Sequence, residues 1–145
     1  MGLYKKVPFK GHHLRWLMQA GDAEGGFGPP LSEEHLGMLE STKAVTAVLE
    51  DGTVLACGGL IEQWPGRYTA WAYLNIGTAE HMLFVTKVAR SLFKSVKGRI
   101  ECTVRCDYKK GHRWAKMLGF RVETDRMEAY GPEGEDHTAY VMVNR

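Results

Sequence analysis

The run from residue 68 to residue 106 constrains the fold most: it reads as a strand, a short break, a long helix and a second strand. Residues 68–74, YTAWAYL, are aromatic and apolar throughout, as in a strand covered on both faces. From Ala79 the period changes to three and four. Met82, Val85, Val88, Ala89, Leu92, Phe93 and Val96 form one stripe, and Lys87, Arg90, Lys94 and Lys97 fall mostly off it, which marks an amphipathic helix with a solvated basic face. The second strand, 99–106, follows at once. Two strands joined by one helix through short joints lie parallel, with a right-handed crossover. The break at 75–78, NIGT, inherits the consequence: Thr78 is placed to cap the helix, and the N–H groups of its first turn face out where an anion can rest. A plain strand-to-helix turn with a threonine cap uses the same residues.

Around this crossover the chain supplies a sheet. Residues 3–9 read as a strand ended by Pro8, and 11–19 as a short helix with Leu14, Leu17 and Met18 on one face. Residues 21–30, GDAEGGFGPP, read as loop, stopped by paired prolines. Ser32 caps a second helix with Glu33 and Glu34 in its first turn, and Leu36 and Leu39 face inward. Residues 43–50 lead to Asp51-Gly52, a two-residue hairpin signal, and 53–64 return with Gly58-Gly59, a bulge or a close backbone approach. Pro65-Gly66 suits the centre of a type II turn. Residues 110–118 form a helix that gathers Trp114, Met117 and Leu118 and ends at Gly119, and 121–130 with 137–144 close the chain as a hairpin around GPEGED. The order β–α–α–β–β–β–α–β–α–β–β predicts a single domain over residues 1–145. Its class is α/β (α+β): a mixed, mostly antiparallel sheet with a central parallel β-α-β crossover and helices on both faces.

Composition chiefly excludes. An apolar share of 44% and a charged share of 25% are globular values. A net charge of +2, with basic residues spread along the chain, argues against a nucleic-acid partner. No run approaches the roughly 20 apolar residues of a membrane helix, and the N-terminus carries neither an apolar leader nor a myristoylation pattern, so a soluble cytoplasmic protein is expected. Cys102 and Cys106 stand too far apart along one strand to bridge at roughly 3.3 Å per residue, and with Cys57 they read as reduced thiols. His12 and His13 leave a helix in different directions, and no metal site is expected.

Four phrases carry a resemblance: ACGGL-IEQ-WPGR at 56–67, AWAYL at 70–74, GHRW-AKM-LGF at 111–120 and RM-E-AYGP-E-G-E-DH at 126–137. With the element order, they resemble the GCN5-related N-acetyltransferase (GNAT) superfamily, and most of all the short proteins of that kind encoded by tailed bacteriophages. The resemblance implies an acyl-CoA-dependent N-acyltransferase working by direct attack of an amine on the thioester. Acetyl-CoA or another acyl-CoA would lie in a V between the strands at 68–74 and 99–106. Its pantetheine would pair with the first strand and its pyrophosphate would rest on the break. The implied coenzyme positions are Leu74, Asn75, Ile76, Gly77, Thr78 and Ala79, with Tyr108 and His112 as further candidates. Two departures stand out. The glycine-rich pyrophosphate loop is reduced to Gly77, and the family's proton-donating tyrosine is matched by Ala115. The alternative implied by these losses is a catalytically silent phage protein, a virion component or host-interaction factor.

Candidate proton carriers are Glu62 and Glu101, on strands flanking the V, and Tyr130; each also reads as an ordinary surface ion pair or packing residue. His112 reads as a group that positions the last helix, and Cys57 as core rather than an acyl-carrying nucleophile, for lack of any neighbouring base signature. The acceptor amine is not named by the sequence. A homodimer through the final hairpin, or virion partners, complete the expected partners.

Overall fold

A computed structural model describes residues 3–19, 24–27, 33–75 and 79–145. In chain order the elements are β1 (Tyr4–Pro8), α1 (Gly11–Gln19), β2 (Glu24–Phe27), α2 (Glu33–Glu40), β3 (Lys43–Leu49), β4 (Val54–Trp64), β5 (Arg67–Leu74), α3 (Ala79–Lys94), β6 (Gly98–Arg105), α4 (Lys109–Leu118), β7 (Arg121–Met127) and β8 (His137–Asn144). Seven strands follow the path β1-β3-β4-β5-β6-β8-β7, and β2 pairs with β5 off that path. Among the described residues every pairing is antiparallel except β5–β6, which α3 connects. The expected mixed sheet with one central parallel crossover is the observed architecture.

The sheet separates two cores. On one face, Phe9, Leu14 and Leu17 with Leu36 and Leu39 of α2 pack against Val48, Cys57, Trp71 and Tyr73. On the other, Val85 and Phe93 of α3 and Trp114 and Leu118 of α4 cover Ala56, Ala70, Ile100, Val104 and Tyr140. Strand β5 feeds both cores: Ala70, Ala72 and Leu74 join the α3 side, and Trp71 and Tyr73 the α1–α2 side. That double burial explains its unbroken apolar sequence. Lys87, Arg90 and Lys94 are exposed, as the helix period requires, and so is Lys97 just past the end of α3.

Several local expectations are corrected. The segment 21–30 is not all loop, because Glu24–Phe27 form β2. Three of its four residues, Glu-Gly-Gly, disfavour a strand; the pairing comes from an edge of β5 that lies remote in sequence. Asp51-Gly52 is not a two-residue turn. Gly52 N–H bonds to Leu49 O and Leu49 N–H to Thr53 O, with Gly52 at φ +94° and Asp51 not positive, so the loop holds three residues and Gly52 alone takes the left-handed position. The Gly58-Gly59 pair serves close approach rather than a bulge: a Cβ on Gly59 would meet Lys43 O at 2.6 Å. The register slips of β4 fall elsewhere, against Val48 and near Trp64. Met117 is 53% exposed instead of joining the core. Strand β7 ends at Met127 rather than at 130, since Ala129 at φ +50° turns the chain. The Ser32 cap and the Met18 side chain lie outside the described residues.

Candidate functional site

The parallel strands start pinned and then part. Gly98, at φ +117°, lies so close to Gly66 that an added Cβ would sit 2.3 Å from Gly66 O, and Arg99 N–H donates to that carbonyl at 2.8 Å. Pairing continues through Arg67↔Arg99, Tyr68↔Ile100 and Thr69↔Glu101 and stops there, although β5 runs on to Leu74 and β6 to Arg105. A notch therefore opens from Ala70 onward, with α3 starting above its β5 wall and α4 above its β6 wall. Below α3, small residues including Gly58, Ala70, Ala72 and Ala89 leave an apolar cavity of about 40 Å³. Asn75 N–H donates to Leu55 O, so the backbone groups of Asn75, Tyr73 and Trp71 face β4. By alternation those of Ala70, Ala72 and Leu74 face the notch. Two of these three are engaged: β2 runs antiparallel to β5 with Glu24 against Leu74 and Phe27 against Ala72.

Of the positions marked in the sequence, Leu74 is buried on the notch wall, Asn75 ends it, and Ala79 opens α3. Ile76, Gly77 and Thr78 lie outside the described residues. Glu80 is exposed in the first turn of α3. His112 is turned inward: Nε2–H donates to the carbonyls of Arg105 (2.9 Å) and Cys106 (3.1 Å), which leaves Nδ1 to accept the Tyr140 hydroxyl at 2.7 Å. It ties α4 to the end of β6, the positioning role read from the sequence. Tyr108 precedes α4 without capping it, and its ring lies where a Cβ on Gly111 would be, 2.6 Å away. Ala115, which the resemblance matches to a proton-donating tyrosine, is fully buried in the core.

The two glutamates occupy opposite faces of the sheet. Glu62, exposed, stands across from Tyr68 on the α3 side. Glu101, at the vertex, accepts Arg67 Nε and Arg99 Nε, each at 2.7 Å, and Arg99 also pairs with Glu123. Burial pushes the Glu101 carboxyl up, but the hydrogen bonds from Arg99 and Arg67 outweigh it and hold it below the usual carboxylate range. A carboxylate so held is a weak proton acceptor. Cys57 is 1% exposed and burial lifts its thiol to about 12, which leaves no thiolate for covalent chemistry.

Sequence reasoning missed the loop between β7 and β8 as a built feature. Asp136 accepts Ala129 N–H and pairs with Arg126, and Glu135 folds across Gly131. The exposed Tyr130 ring lies 5.2 Å from that of His137, whose Nε2 is 3.4 Å from Glu135 Oε1. His137 Nδ1 and the indole N–H of Trp71 are buried without a hydrogen-bond partner among the described residues. The GPEGED text marked a turn; the contacts within it depend on side-chain folding that spacing does not encode.

The acyl-CoA implied by the resemblance would pair its amide-bearing arm with the β5 edge. With β2 docked, Ala72 and Leu74 have no backbone group left for that arm, so the residues as placed do not fit the coenzyme along this stretch. No protein-family profile and no curated protein sequence matches the chain. Solved structures do. The ribosomal-protein-S18-alanine N-acetyltransferase of Escherichia coli superposes with a TM-score of 0.73 at 14% identity, covering 98% of this chain and 95% of that one. The ribosomal-protein-S5-alanine acetyltransferase of Vibrio fischeri gives 0.71 at 15% identity over 99% and 94%. A GCN5-related N-acetyltransferase of Kribbella flavida gives 0.67 at 16% identity over 97% and 98%. The chain thus has, from end to end, the fold of the GCN5-related N-acetyltransferases.

Proposed function

We propose that the protein is an acyl-CoA-dependent N-acyltransferase, moving an acyl group from a thioester donor to an amine. The observation that carries this reading is the parting of β5 from β6 after Thr69↔Glu101 beneath the N-terminus of α3. Where β2 does not cover it, such a notch sets a strand edge beside the first turn of a helix, which suits an extended, anionic donor. Leu74, Asn75, Ile76, Gly77, Thr78 and Ala79 are the donor side of the proposal. Glu62 and Tyr130 are its candidate proton carriers, and Glu101 serves to hold the vertex together. The lack of a tyrosine at Ala115 does not defeat it by magnitude. A positioned acid is worth typically 10²–10⁴-fold, whereas bringing amine and thioester together is worth about 7–11 kcal/mol. Calorimetric titration with acetyl-CoA tests the reading; heat that saturates supports it, and no binding at millimolar donor overturns it.

A second reading is a catalytically silent protein with kinship to short phage-encoded members, acting as a virion component or host-interaction factor. The docking of β2 on the notch edge favours it. Mass spectrometry of purified particles would find the chain there, and its absence from particles together with measured turnover would dispose of this reading.

A further inference from the structure

We propose that β2 is a displaceable strap that competes with the acyl donor for one edge of β5, so that the form described here is the closed one. The inference rests on the acyltransferase reading. Its ground is the succession of partners along a single strand: β6 at Arg67–Thr69, then β2 at Ala72–Leu74 on the same side. Each notch-facing N–H and C=O can serve one strand-like partner at a time. A donor arm with two amides and a four-residue strand are chemically alike in what they ask of that edge, and they exclude one another.

Three features make β2 the partner that yields. It is four residues long, and its register slips between Gly25 and Phe27, so it holds few ladder bonds in sequence. Two of its residues, Gly25 and Gly26, lose more backbone freedom on ordering than any other type. It also joins the sheet as a side branch, outside the strand path, so its departure interrupts no other pairing. Covering an otherwise bare edge is useful in itself, because open strand edges recruit other chains. The strap gives the empty notch a partner until the donor supplies one.

The test compares three full-length proteins for acetyl-CoA affinity: the natural chain, Glu24→Pro/Phe27→Pro, which removes the N–H groups that face Leu74 and Ala72, and Gly25→Val, which favours the strand. The expected result is donor binding at least tenfold tighter in the proline variant and several-fold weaker in the valine variant. Equal affinity across the three, or weaker binding by the proline variant, overturns the strap and leaves the acyltransferase standing. No binding by any of the three overturns both. Should the proline variant fold poorly, the valine variant decides alone, since unchanged or tighter binding there also overturns the inference. Hydrogen exchange of the natural protein gives an independent reading. Saturating donor is expected to speed exchange of a peptide covering residues 24–27 while Ala72 and Leu74 stay protected, and persistent protection of 24–27 with donor bound overturns the strap.

Discussion

At the scale of single residues, Glu101 and the cysteines separate structure from chemistry. Glu101 neutralises two arginines at the vertex with its side chain 22% exposed. Glu101→Gln removes the shared negative charge and turns one of its two accepting oxygens into an NH2 donor facing a guanidinium, and is expected to cost about 1–2 kcal/mol of stability, read by urea unfolding. If the proposed acyl transfer is measured, its rate at equal folded fraction should stay within about tenfold. A loss of 10²–10⁴-fold would return Glu101 to the role of base. The thiols give a second check: Cys57 and Cys102 are nearly inaccessible and burial raises both, while Cys106 is half-buried at the end of β6. One thiol should react with a colorimetric disulfide reagent in the native protein and three in denaturant. Rapid reaction of two or more native thiols would contradict this packing.

At the scale of elements, glycines report whether a helix is bare or pressed. Gly37 lies in the middle of α2, and a Cβ added there would find nothing within 4 Å. Gly37→Ala is therefore expected to stabilise the protein by about 0.4–1 kcal/mol through the unfolded chain and helix propensity. Gly111, in α4, is the reverse case. A Cβ there meets Tyr108 Cδ2 at 2.6 Å and Val104 Cγ1 at 2.7 Å, and Gly111→Ala should cost about 1–3 kcal/mol in the same assay. Equal signs for the two substitutions would count against the placement of α4. Elements of this kind were legible because their information is local: the stripe of α3, the Gly119 cap of α4 at φ +106°, and the Pro65-Gly66 corner. Strand β2 was not legible, because nothing in EGGF distinguishes it from a loop until β5 offers an edge. The pairing of Glu101 was hidden for a similar reason, since Arg67 lies 34 residues away and meets it only through the parallel register.

At the scale of the whole molecule, acid should weaken the fold in two steps, and the His13 contact of α1 should respond first. Burial, then the charges of His12 and Lys10, push the pKa of His13 below its ordinary 6.5, with Glu40 pulling partly back. The geometry agrees: Nδ1 accepts Lys10 N–H at 3.1 Å and lies 2.8 Å from the Thr46 hydroxyl, which stands on Cys57. A base with a depressed native pKa binds fewer protons folded than unfolded, so stability falls as pH drops from about 6.5 toward the native value. The carboxylates Glu101, Glu123, Glu135 and Asp136 are also held below their ordinary range, by arginine pairing or backbone hydrogen bonds. Their stabilisation is complete above the unfolded-state values near 4 and is lost as pH falls through the native ones. The urea midpoint should therefore be level between about pH 8 and 7, decline gently below about 6.5, and drop steeply below about 4.5. His13→Gln removes the first decline and keeps the second. If the variant and the natural protein lose stability with the same slope between about pH 6.5 and 5, the acid response belongs elsewhere, and the buried contact of α1 with β3 through Thr46 is not what His13 protects.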